Sequence, residues 1–592
     1  MDSSHKPAQN RSDISAEKVS PQHINYTEQG KELKAMYSSL DEKQIPKLLF
    51  EKNPNLWVSD PEQVKEINQR LGWITLPDYY LENANEIIEF STKIKNEGYT
   101  HVVLLGMGGS SLCSEVARET FGSTDGYPQL FVLDNTEPDA ILDLENKIEL
   151  DKTLFIAASK SGNTAETLSF FHFFYQQLEK NNNKNPGNNF VAITDDGTPL
   201  IKIAEQNKFR KVFVNPSDLG GRYSVLSAFG LVPMALMGID IIALLSSASQ
   251  METSCKTDPS ALNPGISLGV VLGIAQGHGR DKVTFILSSS ISSFGFWVEQ
   301  LIAESTGKEG RGLIPVSGES TGQPDVYSED RIFIHMYLST DQNADDHAKV
   351  KALEEAGHPI VRIELADKLA LGGEFYRWEI ATAIAGLIMK INPFDQPNVE
   401  ESKKNTNQLL EGWIKNGAFI KSEPLLQTGN ISIYAGKKVE FLASRHYDTA
   451  GDLINSFTIQ ALPDDYIAFL PYFMLTPSRE GILQDWRNRL RDELKVATTL
   501  LNGPRYLHST GQLHKGGPDT GLFILLMGDD EDVLPIPESK FGFDILHQAQ
   551  ALGDFRSLDE KGRRVIRIHL GKDIDAGLNQ LYQSIYNQHH IS

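Results

Sequence analysis

Short, nearly continuous runs of Val, Ile, Leu and Phe recur along the chain and alternate with helix-length segments. The first is residues 101–105, His-Val-Val-Leu-Leu, and others follow at 130–133, 154–158, 190–193 and 211–214. Strands apolar on both faces belong to parallel sheets covered by helices. The pattern restarts at 283–287 and continues at 313–316, 332–335 and 360–363. A third series lies at 466–470, 496–499, 522–526 and 565–568, with helices near 478–493 and 541–553. The prediction is an α/β protein: two doubly wound, flavodoxin-like αβα sandwich domains with parallel sheets, plus a third, C-terminal αβ domain. Residues 28–95 read as helical and residues 1–20 as a disordered tail. The expected divisions are 1–20 for the tail, 21–245 for the helical segment with the first domain, 246–430 for the second domain and 431–592 for the third.

Composition narrows the partners. Lys and Arg total 56 against 78 Asp and Glu, and the net charge of −22 argues against nucleic acid, which needs a basic face. A small anion can still be held where local groups oppose the global charge. The two cysteines, Cys113 and Cys255, are too few for a disulfide framework or a Cys-based zinc site, and point to a reducing cytoplasm. The first 20 residues lack an apolar signal core. The charge-free stretches 223–239 and 259–279 contain Pro, Gly and polar residues, so buried packing explains them better than a membrane span.

Two loops carry candidate chemistry. Gly106-Met-Gly-Gly109-Ser110-Ser111 follows the first strand. Its glycines let backbone approach a ligand, and the next helix offers free N–H groups to an anion. It matches neither the dinucleotide fingerprint nor a Walker A loop. Ser159-Lys160-Ser161-Gly-Asn-Thr164-Ala-Glu-Thr167 follows the third strand, gathering hydroxyls where a helix begins. Asn163 and Glu166 have capping-box spacing, so plain helix capping is the alternative reading. Two such loops on neighbouring strands suit a phosphate monoester.

With these loops stand Gly220-Gly-Arg222-Tyr-Ser-Val-Leu-Ser227, Glu304-Ser-Thr-Gly-Lys308 and Asn392-Pro-Phe-Asp-Gln396-Pro-Asn-Val-Glu-Glu-Ser-Lys403. The serine–threonine loop resembles that of the sugar-isomerase (SIS) fold. The five motifs in order resemble the glucose-6-phosphate isomerase family, closest to the isomerase half of bifunctional transaldolase/glucose-6-phosphate isomerase proteins. The likeness runs from about Asn55 to near the C-terminus. A transaldolase barrel has no room in the hundred or so residues before Gly106.

The resemblance implies reversible aldose–ketose isomerisation of glucose 6-phosphate and fructose 6-phosphate, by ring opening and proton transfer through an enediolate. It implies a phosphosugar substrate, no metal, no other cofactor and a possible homodimer. Glu304 matches the base and Arg222 the cation beside the enediolate. Lys403 matches a ring-opening lysine, with Lys404 as the neighbouring register. Ser159, Lys160, Ser161, Thr164 and Thr167 match the phosphate loop. Gly109 and Ser110 match a substrate-contacting pair, and Gln396 a hydroxyl contact. Acceptance of mannose 6-phosphate and a non-catalytic phosphosugar sensor are the rival readings. A sensor has no need of Glu304, Arg222 and Lys403 together.

One departure stands out. The family carries a histidine soon after the glutamate motif, in a Leu-His-Ser-x-Gly-Gln pattern, yet residues 313–331 contain none. The pattern occurs far downstream, as Leu507-His508-Ser-Thr-Gly-Gln512, with His514 two residues on. The third domain is therefore expected to supply the histidine, in cis or across a dimer. His508 is the first candidate for ring opening; His514 is the second, and a candidate substrate contact.

Overall fold

The computed structural model describes residues 19–420, 422–530 and 532–586. The expected tail lies outside the described residues except for its last two positions.

The opening strand, β1 (Gln22–Asn25), belongs to the second sheet. The first sheet comprises β2 (His101–Gly106), β3 (Gln129–Leu133), β4 (Thr153–Ala158), β5 (Phe190–Asp195) and β6 (Lys211–Asn215). All are parallel, in the order β3-β2-β4-β5-β6. Every residue of β4 and β5 is buried, which accounts for their unbroken apolar sequence. The second sheet contains β7 (Lys282–Leu287), β8 (Ile314–Val316), β9 (Arg331–Leu338) and β10 (Ile360–Leu365), in the order β8-β7-β9-β10. Beyond β10 lies β1, antiparallel, with Ile24 opposite Val361.

The third sheet contains β11 (Leu426–Thr428), β12 (Ile431–Ala435), β13 (Tyr466–Tyr472), β14 (Ala497–Leu500), β15 (Gly521–Met527) and β16 (Arg564–His569). Its order is β14-β13-β15-β16-β12-β11, and the last two strands run antiparallel. The two doubly wound parallel sheets and the C-terminal αβ unit are thus present.

One winding recurs in all three sheets. The first parallel strand lies inside, the second pairs on one side, and the third and fourth step away on the other. The sheets differ beyond these four: β6 fills the fifth place in the first sheet, β1 in the second and β12 in the third, where β11 adds a sixth. This winding opens a crevice beyond the carboxyl ends of the first and third strands, where α/β sheets bind ligands.

The three units share their cores. One apolar cluster joins the first and second sheets with the N-terminal helices, through residues such as Trp73, Leu104, Trp297 and Trp378. Phe170, Phe173 and Phe174 of the first unit pack with Leu534, Phe543 and Leu546 of the third. Ala303, Ile314 and Val316 of the second pack with Tyr466, Tyr472 and Leu525. Among the described residues, no helix is long and apolar enough to cross a membrane.

A buried ionic network fixes the third unit to the second. Glu319, after β8, receives Arg331 of β9 at 3.0 Å, and the Thr498 backbone N–H and hydroxyl of β14, each at 3.0 Å. Arg487, on the helix Pro477–Leu494, donates to Thr498 and to the Ser317 carbonyl. Burial alone would push the Glu319 carboxyl up, but Arg331, Arg487 and Arg491 outweigh it and hold it below the ordinary range. Glu319→Ala leaves these cations buried without their anion, at a cost of about 3–5 kcal/mol. The expected result is a lowered denaturant midpoint; an unchanged midpoint would show that the network does not hold the two units together.

Candidate functional site

The loops after β2 and β4 flank the crevice of the first sheet, and both sequence-selected glycine and serine motifs lie there. Residues 107–111 turn through a short 3-10 segment, Gly108–Ser110, into the helix Leu112–Phe121. Two glycines are required by what presses on them. Gly108 has φ +54° and a side chain there would meet the His508 carbonyl at 2.6 Å. A Cβ on Gly109 would lie 2.1 Å from the Gly221 carbonyl. The loop is therefore packed between the Arg222 turn and the His508 turn, with Ser110 half-buried beside them.

The second loop is built from its own hydroxyls. Ser159 and Thr164 share a hydrogen bond of 2.8 Å, and Ser159 accepts the Gly162 N–H at 3.1 Å. Ser161 donates to Asn163 at 2.6 Å. The following helix, Ala165–Lys180, has Thr164 at its N-cap but no side-chain cap. The capping box suggested by Asn163 and Glu166 does not form, because Glu166 is drawn to His508 and Gln550. The first-turn N–H groups thus lack a capping side chain, as an anion site requires. The Thr167 hydroxyl is buried without a hydrogen-bond partner. Lys160 is committed elsewhere, its ammonium 2.5 Å from Asp195.

Arg222 lies at the junction of three motifs and is 2 % exposed. It makes four hydrogen bonds and one ion pair. Nε donates to Ser305 at 2.7 Å, and Nη2 to the Pro393 and Asp395 carbonyls at 2.7 and 3.0 Å. Nη1 donates to the side-chain Oε1 of Gln396 at 3.0 Å and is ion-paired with Glu304 at 3.1 Å. Glu304 stands at the end of the helix Phe294–Thr306, its side chain 12 % exposed. Its other oxygen accepts from Gln300 at 3.1 Å. Lys308, the last residue of that motif, ties down the 392–395 loop through Asn392 and Asp395 at 2.6–2.7 Å. Burial and the neighbouring Arg222 push its ammonium down to about 8, against the pull of Asp395.

His508 comes from the third unit of the same chain. It follows β14, and its Nε2 lies 3.0 Å from Glu166 Oε1. Its carbonyl accepts from Gln300 at 2.8 Å, the same side chain that holds Glu304. Gln512 completes the join: its amide donates to Gly307 and Asn398 and accepts the Asn398 N–H. Burial raises the Glu166 carboxyl, yet His508, a backbone N–H and Lys403 together bring it below the ordinary range. Lys403 and Lys404 are exposed on the helix Val399–Asn416, and it is the Lys403 charge that Glu166 feels.

His514 is not brought to this group. It is 2 % exposed and packs among Tyr466, Tyr506 and Phe523. Burial, with Lys515 and Arg563 nearby, drives its imidazole well below the usual range, so it is a neutral core residue. Its expected role as a substrate contact is corrected accordingly. Glu166, Gln300, Ser305 and Gln512 had no assigned role in the sequence, although all four lie within or beside the motifs. Among the described residues, no group of three His, Cys, Asp or Glu could hold a metal ion.

Comparison with known proteins follows this geometry. The family model for phosphoglucose isomerase matches residues 88–317. A probable glucose-6-phosphate isomerase of Methanococcus maripaludis is 31 % identical over 384 residues, spanning 59 % of this chain and 86 % of the relative. A glucose-6-phosphate isomerase of Staphylococcus saprophyticus is 30 % identical over 404 residues, spanning 60 % and 89 %. Among solved structures, a hypothetical protein from Thermus thermophilus is similar with a TM-score of 0.57 and 26 % identity, covering 66 % of this chain and 100 % of that one. A glucose-6-phosphate isomerase from Chlamydia trachomatis shares the fold, with a TM-score of 0.52 and 19 % identity over 65 % of this chain and 86 % of that one.

The four hydrogen bonds and the ion pair of Arg222 make a structural demand that lysine cannot meet. Arg222→Lys is expected to lower stability by about 1–3 kcal/mol, because buried carbonyls lose their donors. Chemical denaturation measures it; an unchanged midpoint would mean that these contacts carry no net stability.

Proposed function

This chain belongs to the phosphoglucose isomerase family, and we propose that it interconverts glucose 6-phosphate and fructose 6-phosphate. The observation that carries the reading is the buried pair of Glu304 and Arg222, 3.1 Å apart. A base that moves a proton between C1 and C2 leaves negative charge on the substrate oxygen. Glu304 becomes neutral as it accepts the proton, so Arg222 loses its anionic partner as the enediolate charge forms. The cation is then available to the substrate without moving, the arrangement that makes preorganised electrostatics effective. A sensor has no use for such a pair.

In this reading the phosphate sits at the N-terminus of the helix Ala165–Lys180, against Ser159, Ser161, Thr164 and Thr167. Gly109 and Ser110 bound the sugar on the opposite loop, and Gln396 offers its amide beside Arg222. His508, oriented by Glu166, opens the ring, and Lys403 stands on the adjacent helix to assist. Lys160 contributes positive potential from its pairing with Asp195. All of these belong to one chain, so a homodimer would join two complete sites rather than complete a shared one. The buried free thiols of Cys113 and Cys255 suit a cytoplasmic enzyme.

Two variants test the reading. Glu304→Gln keeps the Arg222 contact but cannot accept the proton, and kcat is expected to fall about a thousand-fold or more. The assay supplies fructose 6-phosphate and detects glucose 6-phosphate; near-normal turnover would remove Glu304 from the mechanism. His508→Asn is expected to slow closed-ring substrate by about a hundred-fold while sparing an acyclic one. Erythrose 4-phosphate serves as that control, because its phosphorylated O4 cannot close a ring. Equal losses on both substrates would reject ring opening by His508.

A further inference from the structure

We propose that Gln550 is a positioning residue for His508, acting through Glu166, and that Thr136 fixes the orientation of its amide. The inference rests on the reading of His508 as the ring-opening group. Gln550 lies on the helix Phe543–Glu560 of the third unit and is 3 % exposed. Its side chain spans two residues of the first unit. Nε2 donates to Glu166 Oε1 at 2.8 Å, and Oε1 accepts the Thr136 hydroxyl at 2.6 Å. His508 Nε2 approaches that same Glu166 oxygen at 3.0 Å.

The direction of each bond follows from donor chemistry. An ionised carboxylate only accepts, so the amide nitrogen must face Glu166. The amide oxygen then faces Thr136, whose hydroxyl must donate. His508 must likewise carry its proton on Nε2, leaving Nδ1 as the nitrogen that exchanges protons with substrate. Two donors therefore draw on one carboxylate oxygen. Each limits how strongly the other is held, so the amide of Gln550 sets how firmly Glu166 grips the histidine proton.

The surrounding segment supports a positioning role. Four consecutive first-unit residues, 134–137, each meet the third unit. Asp134 receives Arg505 at 2.8 Å, Asn135 meets Asn502 at 3.3 Å and Thr136 holds Gln550. The Met474 backbone N–H lowers the Glu137 carboxyl against the larger effect of burial. Asn502 and Arg505 lie on the loop that ends at His508, so one segment holds both that loop and the amide. The other ionisable groups facing this region are Lys403 beside Glu166, Glu304 through Gln300, and Glu115 with Asp134 at Arg505. His547, one turn before Gln550, faces Asp530 and Glu137.

The test is a pH profile of kcat/KM for closed-ring glucose 6-phosphate, with erythrose 4-phosphate as the acyclic control. Gln550→Met keeps the side-chain length but removes the donor. Glu166 then holds the histidine proton more tightly, and the limb that His508→Asn abolishes should move to higher pH by roughly half a unit to one unit. Closed-ring turnover at neutral pH should fall about ten-fold, with the acyclic substrate unaffected. Thr136→Val frees the amide to turn and should shift the limb the same way by less; it serves alone if Gln550→Met does not fold. An unmoved limb, or equal losses on both substrates, overturns the proposal. Failure of His508→Asn itself to discriminate between the substrates overturns instead the reading on which it rests.

Discussion

A guanidinium cannot shed its charge, so burying one is costly unless acceptors and anions surround it. That constraint at Arg222 organises the rest of the site. Its acceptors come from the end of one helix, at Glu304 and Ser305, and from the 393–396 loop. Its own turn is pressed on by Gly109, where no side chain fits. Lys308 fastens the same loop from the other side. Moving any of these elements would strand a charge, so the motifs are as much mutual supports as substrate contacts.

Amides join the third unit to the site alongside the Arg505–Asp134 ion pair. Gln512 and Gln550 bridge elements far apart in sequence with a donor and an acceptor on one planar group, and Gln300 does so with its amide nitrogen, which donates to Glu304 and to the His508 carbonyl. They place His508 against Glu166 without adding net charge to a chain that already carries −22. The ionic network at Glu319 lies away from these amides and fixes the unit as a whole.

Much of this was legible in the sequence because buried parallel strands are unbroken apolar runs. Every strand of that type was visible, including the short Ile314–Val316. The antiparallel edges were not. Gln22–Asn25 contains one apolar residue, since an edge strand buries little. The hairpin of β11 and β12 did carry a signal, a Gly429-Asn430 turn with Gly429 at φ +59°, but its strands are short and only alternate. At the site, the motif glycines and hydroxyls could be read directly. For Glu166 the sequence offers only the local capping pattern as an alternative reading, whereas its partners His508 and Gln550 lie 342 and 384 residues away. His514 misled for the same reason: spacing cannot tell a histidine in an aromatic core from one in a cleft.

The strand that fills the fifth place of the second sheet has a consequence for how the chain is made. Asn25 bonds to Glu354 across 329 residues of sequence, and β1 pairs with the still later β10. At about 5–20 residues per second, β1 waits roughly 15–65 s for its neighbour. The first sheet needs no such delay, since all its strands lie within 101–215. A polar Gln-His-Ile-Asn segment is suited to waiting, because it offers little apolar surface for premature association. Synthesis therefore leaves β1 unpaired until β10 has emerged, and the His508 turn arrives later still.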